Sequence, residues 1–281
     1  EYAIMGLQSG YAYVDVSDPA FPEIVAYIEG PGSLWHDVKT IGDYAYGVSE
    51  GGWGIQVMDL SDIDNGNVTL VQNKTQNGHT DTHNIAANTG SGYLYLLGAN
   101  IANGGIIAVD TNADPTNPTI VGAYTSEYVH DAQIVTYDSG TYAGREIAFC
   151  FNGGRGFDII DVTNKSNMWR RGGLNYSGRR YTHQGWLSED KRYVFLNDEM
   201  DEGNSVATTT TRVIDVSNLA SPFLAATFTT GLAATDHNLF IKGDRLYESN
   251  YRSGLHVFDI SNPLNPVKVG SFDTYPDTDT N

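Results

Sequence analysis

Five of the seven histidines in the chain recur at one position of a repeating sequence pattern. Each follows, by 20 to 24 residues, an aspartate that ends an apolar run, and each begins a further strand-like run. Imidazole is the commonest protein ligand for transition metals. If the repeats close into a ring, equivalent positions converge around its axis. The pattern therefore predicts a metal site for Zn, Cu, Fe or Mn at the mouth of a central channel, formed by His36, His83, His130, His183 and His237.

A structural interpretation of these histidines stays open beside the metal site. Repeats often carry a histidine that hydrogen-bonds the neighbouring repeat, and repetition copies such a contact automatically. His79 lies four residues before His83 and is a candidate auxiliary ligand, whereas His256 lies in an apolar run and is expected to pack or face solvent. The sixth repeat would place its equivalent position near Asn281.

A second candidate site is acidic. Four carboxylates occur within five positions of a Gly-containing loop, and hard oxygen ligands of this kind suit calcium. The spacing does not match an EF-hand, and a fully solvated acidic loop is the alternative. The residues concerned are Asp198, Glu199, Asp201 and Glu202.

Polar loops recur at one end of the predicted repeats, as in Gln8-Ser-Gly10 and Asn152-Gly-Gly154. Arg155 and Arg252 lie in or beside such loops and are predicted to hold an anionic ligand. No nucleophile elbow, phosphate-binding loop, zinc-protease motif or paired-cysteine site occurs in the sequence. An enzyme would therefore have to use the histidine ring, with metal-activated water or dioxygen.

The elements that position these residues are short strands. Six apolar runs end in Asp15, Asp59, Asp110, Asp161, Asp215 and Asp259, at steps of 44, 51, 51, 54 and 44 residues. Each repeat divides into four strand-like pieces separated by Gly, Asn and Pro, and no helical periodicity competes. Four strands per repeat at this period predict an all-β propeller, with a β-helix as the alternative. Each aspartate is expected to accept backbone N–H groups of the turn that follows it.

Composition limits the partners. The formal net charge of −18 disfavours nucleic acid and anionic lipid. Cys150, the one cysteine, lies in an apolar run and is expected to be a buried strand residue. No apolar run reaches the roughly 18 residues of a membrane span, so no direct membrane insertion is expected. We expect residues 1–281 to form one propeller domain, trimmed at both ends.

The repeats resemble a known family. Tyr13-Val-Asp-Val-Ser-Asp-Pro19 is similar to the LVIVD repeat, and further stretches resemble the bacterial choice-of-anchor B surface proteins. The resemblance implies a secreted, surface-tethered protein with seven blades when complete, six being the alternative, and it implies no settled activity. The further stretches are Tyr181-Thr-His-Gln-Gly-Trp-Leu187, Leu196-Asn-Asp-Glu-Met-Asp-Glu202, Asp236-His-Asn-Leu239, Asn250-Tyr-Arg-Ser-Gly-Leu255 and Phe272-Asp-Thr-Tyr-Pro276.

Two functions follow as hypotheses. The first is an extracellular binding or scaffold module at a cell surface, whose partner is a protein, a surface glycan or further copies of the chain. The second is a metal-dependent hydrolase or oxidoreductase that uses the histidine ring. The first predicts a stable partner without turnover, and the second predicts a bound transition metal with an open coordination position.

Overall fold

The computed structural model describes residues 1–278, and these form a six-bladed β-propeller. Five sheets have four antiparallel strands in chain order, and the first sheet has three. Each aspartate-terminated run lies in a different sheet, so the described residues form six blades, which agrees with the alternative count. The predicted equivalent of the histidines near Asn281 lies outside the described residues.

The strands follow the chain blade by blade. The bounds are β1 (Tyr2–Leu7), β2 (Gly10–Asp15) and β3 (Glu23–Glu29); β4 (His36–Ile41), β5 (Tyr44–Ser49), β6 (Ile55–Asp62) and β7 (Asn67–Lys74); β8 (Asn84–Asn88), β9 (Tyr93–Leu97), β10 (Ile106–Asp110) and β11 (Thr119–Tyr124); β12 (Asp131–Thr136), β13 (Glu146–Phe151), β14 (Phe157–Asp161) and β15 (Trp169–Leu174); β16 (Thr182–Leu187), β17 (Tyr193–Asp198), β18 (Thr211–Asp215) and β19 (Phe223–Phe228); β20 (Asp236–Lys242), β21 (Arg245–Asn250), β22 (Gly254–Asp259) and β23 (Val267–Phe272).

Helical structure is confined to three single 3-10 turns in the described part of the chain, at Ile63–Asn65, Ala102–Gly104 and Gly140–Tyr142. Among residues 1–278, no helix has the length and apolar character needed to span a bilayer.

The described residues group into two compact units. The first contains Glu1–Val129, Ile134–Glu146 and Val162–Met168, and the second contains His130–Gln133, Ile147–Asp161 and the chain from Trp169 onward. Each unit has its own apolar core. In the first unit the core is formed by residues such as Tyr46, Val57, Leu94, Leu96 and Ile107, and in the second by residues such as Phe195, Val213, Leu239, Leu246 and Phe258.

Every blade has the same corner. In each sheet, the strand that ends in the aspartate pairs with the strand after it through a β-bulge directly before the aspartate, as between Tyr13 and Val14 in the first blade. A bulge increases the local twist of the strand. The aspartates of these turns accept the backbone N–H two residues later, at 2.8–2.9 Å, which confirms their predicted role, at Asp15, Asp59, Asp110, Asp215 and Asp259. The sixth, Asp161, is buried and binds the guanidinium of Arg171 at 2.7 Å.

A tyrosine packs across neighbouring blades of the first unit. The Tyr11 ring lies where a Cβ atom on Gly47 would approach within 2.4 Å, and its hydroxyl donates to the Val48 carbonyl at 2.8 Å. The absence of a side chain at Gly47 thus allows the buried ring to reach the next blade's backbone.

The single cysteine is buried as predicted. Cys150 lies in β13 with no exposed surface. Burial raises the pKa of its thiol well above the usual value, so the thiolate required for nucleophilic chemistry is disfavoured.

Candidate metal centre

The five repeated histidines lie in or directly before the first strand of a four-stranded sheet. Strands β4, β8, β12, β16 and β20 are each the first strand of a four-stranded sheet. Within the units, β4 contacts β8 and β16 contacts β20, although the members of each pair belong to different blades. Within each unit, neighbouring blades therefore meet through strands that carry a histidine in their first two positions or directly follow one.

Two of the histidines lie in backbone irregularities. The register between β16 and β17 shifts between Thr182 and Gln184, and that between β20 and β21 shifts between Asp236 and Asn238. His183 and His237 are the residues inside these two shifts. Bulges re-aim side chains and are over-represented at active sites. In β4, by contrast, His36 pairs regularly with Ser49.

Three imidazoles of the second unit form a stack. The ring centroids of His130 and His183 are 4.5 Å apart, and those of His183 and His237 are 4.1 Å apart. Tyr181 packs on the His130 side at 5.1 Å and Tyr251 on the His237 side at 5.1 Å. The stack passes from buried His130 to His237, whose side chain is 31% exposed.

Backbone carbonyls orient two of these rings. His130 Nδ1 donates to the carbonyl of His183 at 3.0 Å, and His183 Nδ1 donates to the carbonyl of His237 at 3.2 Å. A proton on Nδ1 leaves the lone pair of a neutral imidazole on Nε2. An Nδ1–H to carbonyl bond is the usual way in which proteins fix the tautomer of a metal-binding histidine.

Glu199 completes a three-residue group. Its carboxylate lies 3.7 Å from His183 Nε2 and 3.8 Å from His237 Nε2. It also accepts a hydrogen bond from the Tyr251 hydroxyl. Burial raises the pKa of Tyr251, and the hydrogen bond to Glu199 adds to the effect, so the phenol remains a donor.

The group has the dimensions of a metal site. The three ligand atoms all lie within 4.8 Å of one another. Two ligands about 2.1 Å from one ion stand roughly 3.0–3.4 Å apart, so a small contraction brings these atoms to bonding distance. Two imidazoles and one carboxylate are a ligand set used by zinc hydrolases and non-haem iron oxygenases, and three protein ligands leave positions open for water or substrate.

The two histidines of the first unit have other contacts. His36 packs its ring edge-on against Tyr11 at 5.3 Å, and burial lowers its pKa. His83 Nδ1 lies 2.6 Å from a carboxylate oxygen of Glu50. Of the five predicted ring members, His130, His183 and His237 come together in the second unit. His36 and His83 lie in the first unit, where each has its own surroundings.

The four residues of the predicted acidic loop make different contacts. Asp198 is fully buried and accepts hydrogen bonds from the Tyr176 hydroxyl at 2.7 Å and from the backbone N–H groups of Arg180 and Tyr181 at 2.9 and 2.6 Å. It holds the start of the loop in place. Glu199 faces the histidines, whereas Asp201 and Glu202 lie with Asp236 in a separate carboxylate cluster.

The remaining predicted residues lie elsewhere. Both arginines are exposed: Arg155 accepts a hydrogen bond from Arg179 through its carbonyl, and Arg252 lies over the Tyr275 ring at 5.5 Å. Their role toward an anion stays a prediction. His79 and His256 are buried beside Thr82 and Ser253, which fits packing for both.

Sequence reasoning missed the residues that join neighbouring histidine strands. Gln184 Oε1 accepts the backbone N–H of Leu239 at 2.8 Å, and Asp37 Oδ2 accepts that of Ile85 at 3.0 Å. Both polar residues directly follow a histidine. A polar residue directly follows each of the five repeated histidines, and this recurrence was the signal in the sequence.

Comparison with known proteins begins with the repeat. A family model described as the LVIVD repeat matches residues 148–173, 211–230 and 237–274. The matched segments cover strands of the fourth, fifth and sixth blades. No curated protein matches the chain significantly.

Solved structures share the fold of this chain at low sequence identity. A putative 6-phosphogluconolactonase from Bacteroides fragilis is 11% identical with a TM-score of 0.71, over 98% of this chain and 81% of that one. A hypothetical selenium-binding protein from Sulfolobus tokodaii is 14% identical with a TM-score of 0.68, over 97% and 73%. A periplasmic gluconolactonase from Pseudomonas aeruginosa is 11% identical with a TM-score of 0.66, over 96% and 79%. At these identities the likeness concerns the fold alone.

Proposed function

We propose that the protein is a metal-binding β-propeller whose centre is formed by His183, Glu199 and His237, and that this centre performs metal-dependent chemistry on a small substrate. The observation that carries the proposal is the convergence of two Nε2 atoms and one carboxylate within 4.8 Å. The two bulges that aim the histidines and the carbonyl that fixes the His183 tautomer support it.

The surrounding side chains position the proposed ligands and shield one side of the site. A bound Zn²⁺ or Fe²⁺ would supply a Lewis acid and an activated water. The Tyr251 hydroxyl holds Glu199 through one oxygen, and the Tyr251 side chain, which is 51% exposed, would also face an incoming substrate. The buried side of the His183 ring packs on His130, which keeps water away from that flank. Substrate thus enters from the side of His237 and Tyr251.

The test is metal content after reconstitution with Zn²⁺ or Fe²⁺ and removal of excess metal, measured by ICP-MS. We expect about one equivalent in the wild-type protein. Loss of a residue that hydrogen-bonds to a metal ligand typically weakens metal affinity by roughly 10- to 100-fold, and we expect a loss in this range for Tyr251→Phe. Loss of a ligand itself should weaken the affinity further, in His183→Ala, His237→Ala and Glu199→Gln. Absorption of the Co²⁺-substituted protein gives a second readout of the same ligands.

His36→Ala and His83→Ala are the matched controls, because they stand at the same position of the repeat. Full metal content in both variants supports the three-residue centre. Loss of metal in either one would instead favour the five-histidine ring, and wild-type protein that takes up no transition metal would contradict both.

A second candidate function is ligand binding by exposed aromatic residues of the first unit. Leu34 and Trp35 are more than half exposed, and Trp53 is 44% exposed. Trp53 has φ of +71°, a backbone conformation that bulky residues rarely adopt and that clusters at functional sites. The two loops touch, because Glu50 donates its backbone N–H to the Trp35 carbonyl. We propose that they bind a surface glycan outside the cell, in keeping with the resemblance to secreted choice-of-anchor B proteins.

The glycan proposal predicts that Trp35→Ala and Trp53→Ala each abolish signals on a glycan array. Exposed aromatic anchors carry a large share of binding energy, and a loss of at least about 1 kcal/mol, or roughly 5-fold in affinity, is expected for each. Trp169, 45% exposed in the second unit, supplies the control Trp169→Ala. An array without signals for the wild-type protein, or an equal loss in the control, would remove this function.

A further inference from the structure

The second carboxylate cluster lies apart from the histidines. Asp201 and Glu202 belong to the loop after β17, and Asp236 begins β20. One oxygen from each of the three carboxylates lies within 4.8 Å of the others. Asp236 stands 34 residues after Glu202 in the chain, so only the fold brings it to the cluster.

Each carboxylate uses one oxygen to fix its position. Asp201 Oδ2 binds the guanidinium of buried Arg212. Glu202 Oε1 accepts the backbone N–H of Asp236 at 3.4 Å, and Asp236 Oδ2 accepts that of Thr210 at 3.2 Å. The three side chains are therefore held in place by partners outside the cluster or by its backbone.

The second oxygen of each carboxylate is buried and has no hydrogen-bond partner among the described residues. These atoms are Asp201 Oδ1, Glu202 Oε2 and Asp236 Oδ1. Asp201 and Asp236 have no exposed surface. A buried carboxylate oxygen without a donor is costly, and three of them together are rare unless a cation binds them.

Charge leads to the same conclusion. Three carboxylates face one guanidinium, that of Arg212, and the nearby Glu248 adds further repulsion at Asp236. Burial raises the pKa of Asp201 to about 6, although Arg212 acts in the opposite direction. Burial and repulsion by Asp201 raise the pKa of Glu202 to about 7, and burial and repulsion by Glu202 and Glu248 raise that of Asp236 well above its usual value.

We propose that Asp201, Glu202 and Asp236 bind a Ca²⁺ ion. Oxygen is the only ligand type that the three side chains offer, which suits a hard cation rather than the metals preferred by imidazole. Calcium accepts six to eight oxygens in irregular geometry, as a loop and a strand end can provide, whereas magnesium requires a near-ideal octahedron. This site does not depend on the function proposed for the histidines.

The test is Ca²⁺ titration of EDTA-treated protein, followed by calorimetry and thermal unfolding. We expect about one Ca²⁺ per chain and, at 100-fold excess over Kd, a rise of Tm by about 5 °C or more. Asp236→Asn and Glu202→Gln should each lose at least about 10-fold in affinity. Without calcium, Asp236→Asn should unfold at or above the wild-type temperature, because it replaces a buried carboxyl group that faces other carboxylates with a neutral amide.

The control Asp244→Asn removes an exposed carboxylate of the same unit and should leave calcium binding unchanged. His183→Ala should also retain it, which separates the two sites. A wild-type Tm that does not respond to Ca²⁺ would overturn the proposal, as would a response that persists undiminished in Glu202→Gln. Binding of Mg²⁺ without any response to Ca²⁺ would overturn the choice of ion.

Discussion

Replacing Glu146 with alanine is expected to lower the free energy of unfolding by about 3–5 kcal/mol, the range for removal of one partner of a buried ion pair. Glu146 is buried in the first unit, and its Oε2 atom binds Lys165 Nζ at 2.5 Å. Its Oε1 atom accepts three further hydrogen bonds, from Asn88 Nδ2, Ser91 Oγ and Tyr95 Oη, at 2.6–2.9 Å. The alanine variant leaves these donors and a largely buried ammonium without an acceptor.

Denaturant unfolding followed by fluorescence measures the effect. Glu146→Gln keeps the shape of the side chain but places an amide N–H donor against the neighbouring donors. Its free energy of unfolding should lie between those of the wild type and the alanine variant. The double variant Glu146→Ala with Lys165→Met removes the stranded charge and should recover part of the loss. If Glu146→Ala costs less than about 1 kcal/mol, the carboxylate is not the centre of this network.

Replacing Asp198 with alanine is expected to cost about 2–4 kcal/mol and to weaken transition-metal binding as well. The carboxylate accepts the Tyr176 hydroxyl and two backbone N–H groups, and all three donors would lose their acceptor. Glu199 is the next residue, so the loop that carries this ligand would lose its anchor. Loss of a group that orients a ligand typically reduces metal affinity by 10- to 100-fold.

Unfolding and metal titration are measured on the same Asp198→Ala sample. The control is Asp190→Asn, which changes an exposed carboxylate of the same unit. Tyr176→Phe removes only the hydroxyl donor and should cost about 1 kcal/mol, with metal binding nearly unchanged. Stability lost without any change in metal affinity would show that Asp198 does not position Glu199.

The sequence predicted the architecture because the information is local and repeated. The aspartate-terminated runs recur at blade length, and their turns follow from an Asp-x-Ser contact within three residues. Five of the histidines also sit where predicted, in or beside the first strand of a sheet. The number of blades in this chain could be counted only from the strands and their pairing, since the resemblance implied seven blades for the complete protein and left six as the alternative.

The residues that form each candidate site were harder to predict from the sequence, because site membership depends on where side chains point. Equal spacing made the five histidines look equivalent, yet the bulges at His183 and His237 set these two apart. Four adjacent carboxylates likewise suggested one loop site. Asp198 instead turns inward, Glu199 faces the imidazoles, and Asp201 and Glu202 meet Asp236, which no local pattern links to them.

The stretch from Asp198 to Glu202 therefore contributes to both proposed metal sites, and so do the adjacent residues Asp236 and His237. Two ions held by the same five-residue stretch cannot bind independently if either one shifts its backbone. Thermodynamic linkage then requires reciprocity: whatever factor calcium contributes to the affinity for the transition metal, the transition metal contributes to the affinity for calcium. In a medium where calcium varies, such coupling would make the histidine centre responsive to calcium concentration.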